Sequence, residues 1–205
     1  MEQQQPEQAI ATLKKAVALE PANIPLQLDL SDALALTGQF AAASEILSTA
    51  EKRAPQFAEI FLKKADIAQA QQQWDSALNL YDQAIKLNNK LAQAFNNKAW
   101  VLLSLKRDLP QAVAAAQQAV KLSAGSAPFQ DTLAMVLLEV NEHQAAMTAI
   151  DAAIAIESSI AEFHYHKGLI ASAMQQRDIA KQAFQRALQL DPAYQPANQA
   201  LQRLQ

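Results

Sequence analysis

The chain contains no cysteine, which excludes disulfide staples and thiolate metal sites and fits a reducing cytosol and an oxidising periplasm equally well. Glycine is confined to Gly38, Gly125 and Gly168. A phosphate cradle needs several closely spaced glycines and a lysine, so Gly125-Ser126 reads as a turn. Aromatic residues make up 6%, too few for one large conventional core but enough for closely packed helix pairs, where small residues occupy the crossings. Long apolar runs are missing too. The richest, residues 99–105, lies between Lys98 and Lys106 and falls far short of the roughly 20 residues that span a bilayer. Residues 1–8 have neither a basic start nor an apolar stretch, so no export signal is expected there. The formal net charge is −3, with Lys and Arg dispersed among Asp and Glu, and nucleic acid is not an expected partner.

The groups that carry catalysis are equally sparse. No serine has an evident histidine partner in sequence, and the carboxylates fall on repeating surface positions rather than converging on a pocket, so no enzyme activity is expected. His164 and His166 are two residues apart and point to nearly opposite sides of a helix. Glu162 and His166 have the spacing of a helical surface pair, but two ligands fall short of a zinc site, and neither metal nor cofactor is expected. His143, beside Glu142 in a turn, reads as solvated.

Alanine, by contrast, is abundant and regular. Ala9 recurs as Ala43, Ala77, Ala112, Ala146 and Ala180, a step of 34 residues broken once by 35. Ala16, Ala50, Ala84, Ala119, Ala153 and Ala187 run beside it. Fixed-period self-similarity marks stacked supersecondary units whose contacts are with their neighbours. Within residues 24–57, Leu26, Leu30, Ala33 and Leu34 form one helical stripe, Gly38 interrupts, and Ala43, Ile46, Leu47 and Ala50 form a second before Pro55. Each unit is therefore expected to be two antiparallel helices joined by a short turn. The fold class is all-α, a solenoid forming a single domain over residues 1–205. It comprises a lone second helix at 7–21, full repeats at 24–57, 58–91, 92–126, 127–160 and 161–194, and a cap helix at 195–205 carrying Ala197, Leu201 and Leu204 on one side. The 92–126 repeat has an extra residue near 107–110, which should lengthen its inter-helix turn. The lone helix is expected to leave an apolar face with Ile10, Leu13 and Val17 uncovered, with the former existence of upstream repeats favoured over a native cap, and that face could pair with a second copy.

These residues resemble the tetratricopeptide repeat. Its family pattern has a small residue at the eighth position, alanine at the twentieth, an aromatic at the twenty-fourth, alanine at the twenty-seventh and proline at the thirty-second. Gly168, Ala180, Phe184, Ala187 and Pro192 satisfy all of these in one unit, while Asn89, Ala124 and Ser158 depart from the terminal proline. The resemblance implies a right-handed superhelix of antiparallel helix pairs and a non-catalytic scaffold for protein interactions. It also implies a concave groove lined from the first helix of each pair. The slots that point there hold Leu28 and Asp32, then Leu62 and Asp66, then Gln93, Asn96, Trp100 and Leu103, then Asp131, Met135 and Leu138, then Glu162, Tyr165 and Leu169. Trp100, Met135 and Tyr165 offer adaptable apolar area, and Asn96 and Asp131 offer hydrogen bonds to a peptide backbone.

Some relatives in that family grip a C-terminal carboxylate with cations and amides. Here Lys63 is basic, but Asp32, Asp66, Asp131 and Thr132 stand in neighbouring places, so the expected partner is a protein or peptide segment that is neutral to mildly basic. A narrower resemblance lies in Asn96-Asn97-Lys98-Ala99-Trp100, in Asp131-Thr132-Leu133-Ala134-Met135 and in His164-Tyr165-His166. These strings are similar to the C-terminal repeats of bacterial tetratricopeptide lipoproteins of the PEP-CTERM protein-sorting and exopolysaccharide system, although Lys98, Ala134 and Met135 depart from them. That similarity implies a bacterial periplasmic or envelope setting in preference to the cytoplasm. Two further accounts stand beside a peptide scaffold: self-association, as a homodimer through the half-repeat, and carbohydrate binding, with Trp100 and Tyr165 stacking on rings.

Overall fold

A computed structural model of the protein describes residues 4–204. Their regular structure is helical throughout, with twelve α-helices and no strand among the described residues. In chain order these are α1 (Gln4–Leu19), α2 (Ile24–Leu36), α3 (Phe40–Arg53), α4 (Ala58–Ala70), α5 (Trp74–Leu87) and α6 (Ala92–Ser104). They continue as α7 (Leu109–Leu122), α8 (Ala127–Glu139), α9 (His143–Ile156), α10 (Ala161–Ala173), α11 (Arg177–Leu190) and α12 (Gln195–Arg203). The chain divides between Ala94 and Phe95 into two compact units.

The turn inside each pair is built the same way. After α2, the Gln39 N–H bonds to the Leu34 carbonyl (2.8 Å) and the Gly38 N–H to that of Ala35 (2.9 Å). This crossed pattern satisfies the last carbonyls of a helix and requires a left-handed residue just beyond it. The same two bonds close α4, α6, α8 and α10. The left-handed residue is in turn Gly38 (φ 76°), Gln72 (59°), Lys106 (49°), Asn141 (62°) and Gln175 (59°). Only the first of these is glycine, the residue that adopts this conformation without steric cost. The segment between α6 and α7 runs 105–108, one residue longer than 37–39 or 140–142. It accommodates the insertion with a second left-handed residue, Asp108 (φ 44°). Asp108 also caps α7 by accepting a hydrogen bond from the Gln111 N–H (3.2 Å), and Asn23 caps α2 through the Leu26 N–H (3.2 Å).

In the first unit the core gathers Ile10, Leu30, Leu34, Leu47 and Ile60 around the crossings, and Ala43, Ala50, Ala77 and Ala84 are completely covered. Ile10 is buried, and Leu13 and Val17 pack against the same cluster. The stripe expected to lie uncovered on α1 therefore faces the α2–α3 pair. What α1 exposes is the alanine stripe rotated away from it. Ala9 is exposed and Ala16 half-buried, whereas their equivalents in every later pair have no exposure at all.

In the second unit Ala112, Ala119, Ala146, Ala153, Ala180 and Ala187 fill the corresponding crossings. Gly168 lies beneath the Phe184 ring so closely that a Cβ there would run into it, which accounts for a glycine at this crossing. The α12 helix lays Ala197, Leu201 and Leu204 toward α10 and α11 and turns Asn198, Gln199 and Gln202 to solvent.

Candidate functional site

The first helices of three successive pairs, α6, α8 and α10, line a cleft of about 500 Å³ in the second unit. Five of the residues expected in a groove meet there: Trp100 and Leu103 from α6, Asp131 and Met135 from α8, and Glu162 from α10. Trp100 is 43% exposed, a high value for so large an apolar side chain. Ile160 and Pro128 extend the apolar wall, while Glu157 and Glu162 stand exposed at the cleft.

On the cleft lining, the His166 Nδ1 lies 2.7 Å from the Asp131 Oδ1, where the imidazole donates to the carboxylate. The two side chains are 14% and 13% exposed. His166 thus engages α8 from its neighbour α10, and not Glu162 on its own helix as the four-residue spacing suggested. Packing decides this, because the neighbouring helix draws the ring into a half-dry contact while Glu162 remains in water. Charge types were the available signal, since Asp131 and His166 stand 35 residues apart in adjacent slots of successive first helices.

Tyr165 and Leu169 lie in a separate hollow of the second unit, shared with Phe184 and α12. The Tyr165 ring packs among Phe184 (5.8 Å between centroids), Tyr194 (5.6 Å) and His166 (5.7 Å), so much of its area serves internal packing. Burial first, and then the negative charges of Glu162, Asp131 and Asp191, push the Tyr194 phenol up to about 12. The same carboxylates that face the cleft therefore act on this tyrosine. Asn96 donates from Nδ2 to Asn97 (3.3 Å), and its own Oδ1 is buried without a partner. It does not line the cleft.

Among the candidates in the first unit, Leu62 is 2% exposed and presents no surface to a ligand. Asp66 lines an apolar hollow with Phe40, Ile67 and Lys63, and accepts a hydrogen bond from the buried Tyr81 hydroxyl (2.8 Å). Lys63 is held by Asp32 at 2.6 Å, so the basic residue closest to an anion-gripping slot is already neutralised. Among the described residues, no three metal-ligating side chains gather and no helix is long and apolar enough to cross a membrane.

No curated protein sequence matches the chain. Solved structures do. A chain of the APC/C hetero-tetramer Cut9–Hcn1 superposes with a TM-score of 0.88 at 16% identity over 98% of this chain, which spans 40% of that chain. PilF of Pseudomonas aeruginosa gives 0.80 at 18% identity, covering 98% of this chain and 91% of its own. YrrB, described as a TPR protein with an unusual peptide-binding site, gives 0.72 at 16% identity, covering 95% and 100%. At such identities the likeness concerns the fold, which is that of tetratricopeptide solenoids. Tetratricopeptide repeat models match residues 1–67, 62–127 and 161–194. With the alanine crossings and the left-handed turns repeating at the period of those models, the chain belongs to the tetratricopeptide repeat family.

Proposed function

We propose that the protein is a non-catalytic interaction scaffold that holds a peptide or protein segment in the cleft between α6, α8 and α10. The observation that carries this reading is Trp100, left 43% exposed beside Leu103 and Met135 in a cleft of about 500 Å³. An aromatic anchor with adaptable apolar neighbours is what a bound segment uses, and the carboxylates around it favour one that is neutral to mildly basic. YrrB, a TPR protein with a peptide-binding site, is consistent with such use of the fold. A role in envelope protein sorting or exopolysaccharide assembly would extend this reading, and rests on the similarity of the strings around Trp100, Asp131 and Tyr165 alone. The test is capture from lysate of the source organism by the immobilised chain, compared with a Trp100→Ala, Met135→Ala variant of unchanged helicity. A partner captured by the wild type and lost with the variant is the expected result, and identical capture by both proteins would sink the assignment to this cleft.

A second reading, self-association through α1, is favoured by one observation: Ala9 is exposed where its five equivalents are fully covered. Sedimentation at rising concentration checks it. A mass that grows in the wild type and stays monomeric in Ala9→Glu would support pairing through that stripe.

A further inference from the structure

The cleft is sorted by charge as well as by shape. Its lining includes Asp131, Glu157 and Glu162 but no lysine or arginine. Asp131 is engaged by His166, while Glu157 and Glu162 form no ion pair with a lysine or arginine among the described residues. Some acids elsewhere are paired with lysine, Asp32 with Lys63, Glu51 with Lys64, Glu139 with Lys106 and Asp151 with Lys167, whereas no lysine reaches the cleft. Whatever the charge on the imidazole, the cleft retains a negative excess beside an exposed indole. The Tyr194 phenol, pushed up first by burial and then by Glu162 and Asp131 among others, is in keeping with this excess.

We propose that the cleft is an arginine-reading site: it takes an extended segment in which an arginine adjoins a large apolar residue. A planar guanidinium stacks on the face of Trp100 and donates to the carboxylates of Glu157 and Glu162. Its methylene stem lies along Leu103 and Met135, as long cationic side chains commonly cover apolar surface. A cleft of about 500 Å³ is larger than one arginine side chain, and the adjoining apolar residue fills the remainder against Ile160. Lysine answers the charge but lacks the flat, weakly hydrated face that suits the indole, so arginine is preferred. This inference rests on the reading of the cleft as a peptide seat and adds the chemistry of its occupant.

The experiment is panning of a random, phage-displayed peptide library on the intact chain, with Trp100→Ala for counter-selection. The best sequence is then made as a free peptide and as its citrulline analogue, which keeps the shape of arginine without its charge, and both are titrated by calorimetry. The expected result is enrichment of arginine beside leucine, isoleucine or phenylalanine, with citrulline binding about tenfold weaker, the loss usual for a charge-assisted contact. The gap should close in Glu157→Gln, Glu162→Gln, whose exposed substitutions leave the fold intact. Trp100-dependent peptides that are apolar without arginine, or acidic, overturn the arginine inference and leave the peptide seat standing. Equal binding of arginine and citrulline does the same. No Trp100-dependent enrichment overturns both.

Discussion

Ser31 occupies the eighth place of its repeat, where the other full units have Ala65, Ala99, Ala134 and Gly168. Its hydroxyl is buried without a partner, as is the Oε1 of Gln27 one turn earlier. Removing an unsatisfied buried hydroxyl recovers its desolvation cost, so Ser31→Ala is expected to stabilise by about 1 kcal/mol and to raise the melting temperature by about 2–4 °C. Calorimetry checks this, and a lower melting temperature would mean that the hydroxyl is hydrogen-bonded in solution. Left-handed backbone predicts the same direction at Gln175 (φ 59°). Gln175→Gly relieves the Cβ clash but frees the unfolded chain, for a net gain of about 0.5–1 kcal/mol, read from urea midpoints. Tyr194 makes a prediction in pH. Its phenol is raised to about 12 by burial and neighbouring carboxylates, so the folded state holds the proton more tightly than the unfolded state, where an ordinary tyrosine ionises near pH ~10. The associated stability is fully present below pH ~10 and is lost as pH rises through about 12. In an ultraviolet titration of phenolate absorbance, the step at a pH of about 12 should vanish in Tyr194→Phe.

At the scale of the helix pair, the crossing is the unit of stability. The α10–α11 pair places Gly168 under Phe184 with no space for a Cβ. Gly168→Ala gains helix propensity but overpacks the crossing, and is expected to destabilise by about 1–3 kcal/mol before that gain is deducted. Adding Phe184→Leu should recover part of the loss if the ring is the obstacle, and recover nothing if the cost lies in the backbone. The period made these crossings legible, because two alanines recur at fixed offsets in every unit and few alternatives satisfy both series. Polar partnerships between pairs were less legible. The contact of His166 with Asp131 depends on which way two helices face each other, and a four-residue spacing within one helix suggested Glu162 instead. Leu62 shows the same gap between pattern and packing: its slot belongs to the groove in the family, yet its side chain is 2% exposed.

For the molecule as a whole, the period determined the fold while the site remained divided. The residues expected along one groove fall into a cleft around Trp100, a hollow around Tyr165 and another hollow around Asp66, because large side chains such as Tyr165 and Leu62 are drawn into internal packing that a slot pattern does not register. The two compact units also differ in quality. The first contains the unpaired Gln27 and Ser31 atoms and the exposed Ala9 stripe of α1; the second contains a single such atom, the Asn96 Oδ1, among the described residues, and ends in a polar-faced α12. There are two tryptophans, Trp74 at the start of α5 and Trp100 on α6, and the division of the chain between Ala94 and Phe95 assigns one to each unit. Each unit thus has its own built-in fluorophore. Trp100→Phe leaves light from the first alone and Trp74→Phe from the second alone, so two single-tryptophan proteins can report in urea which unit loosens first, and Trp74 is expected to change colour ahead of Trp100.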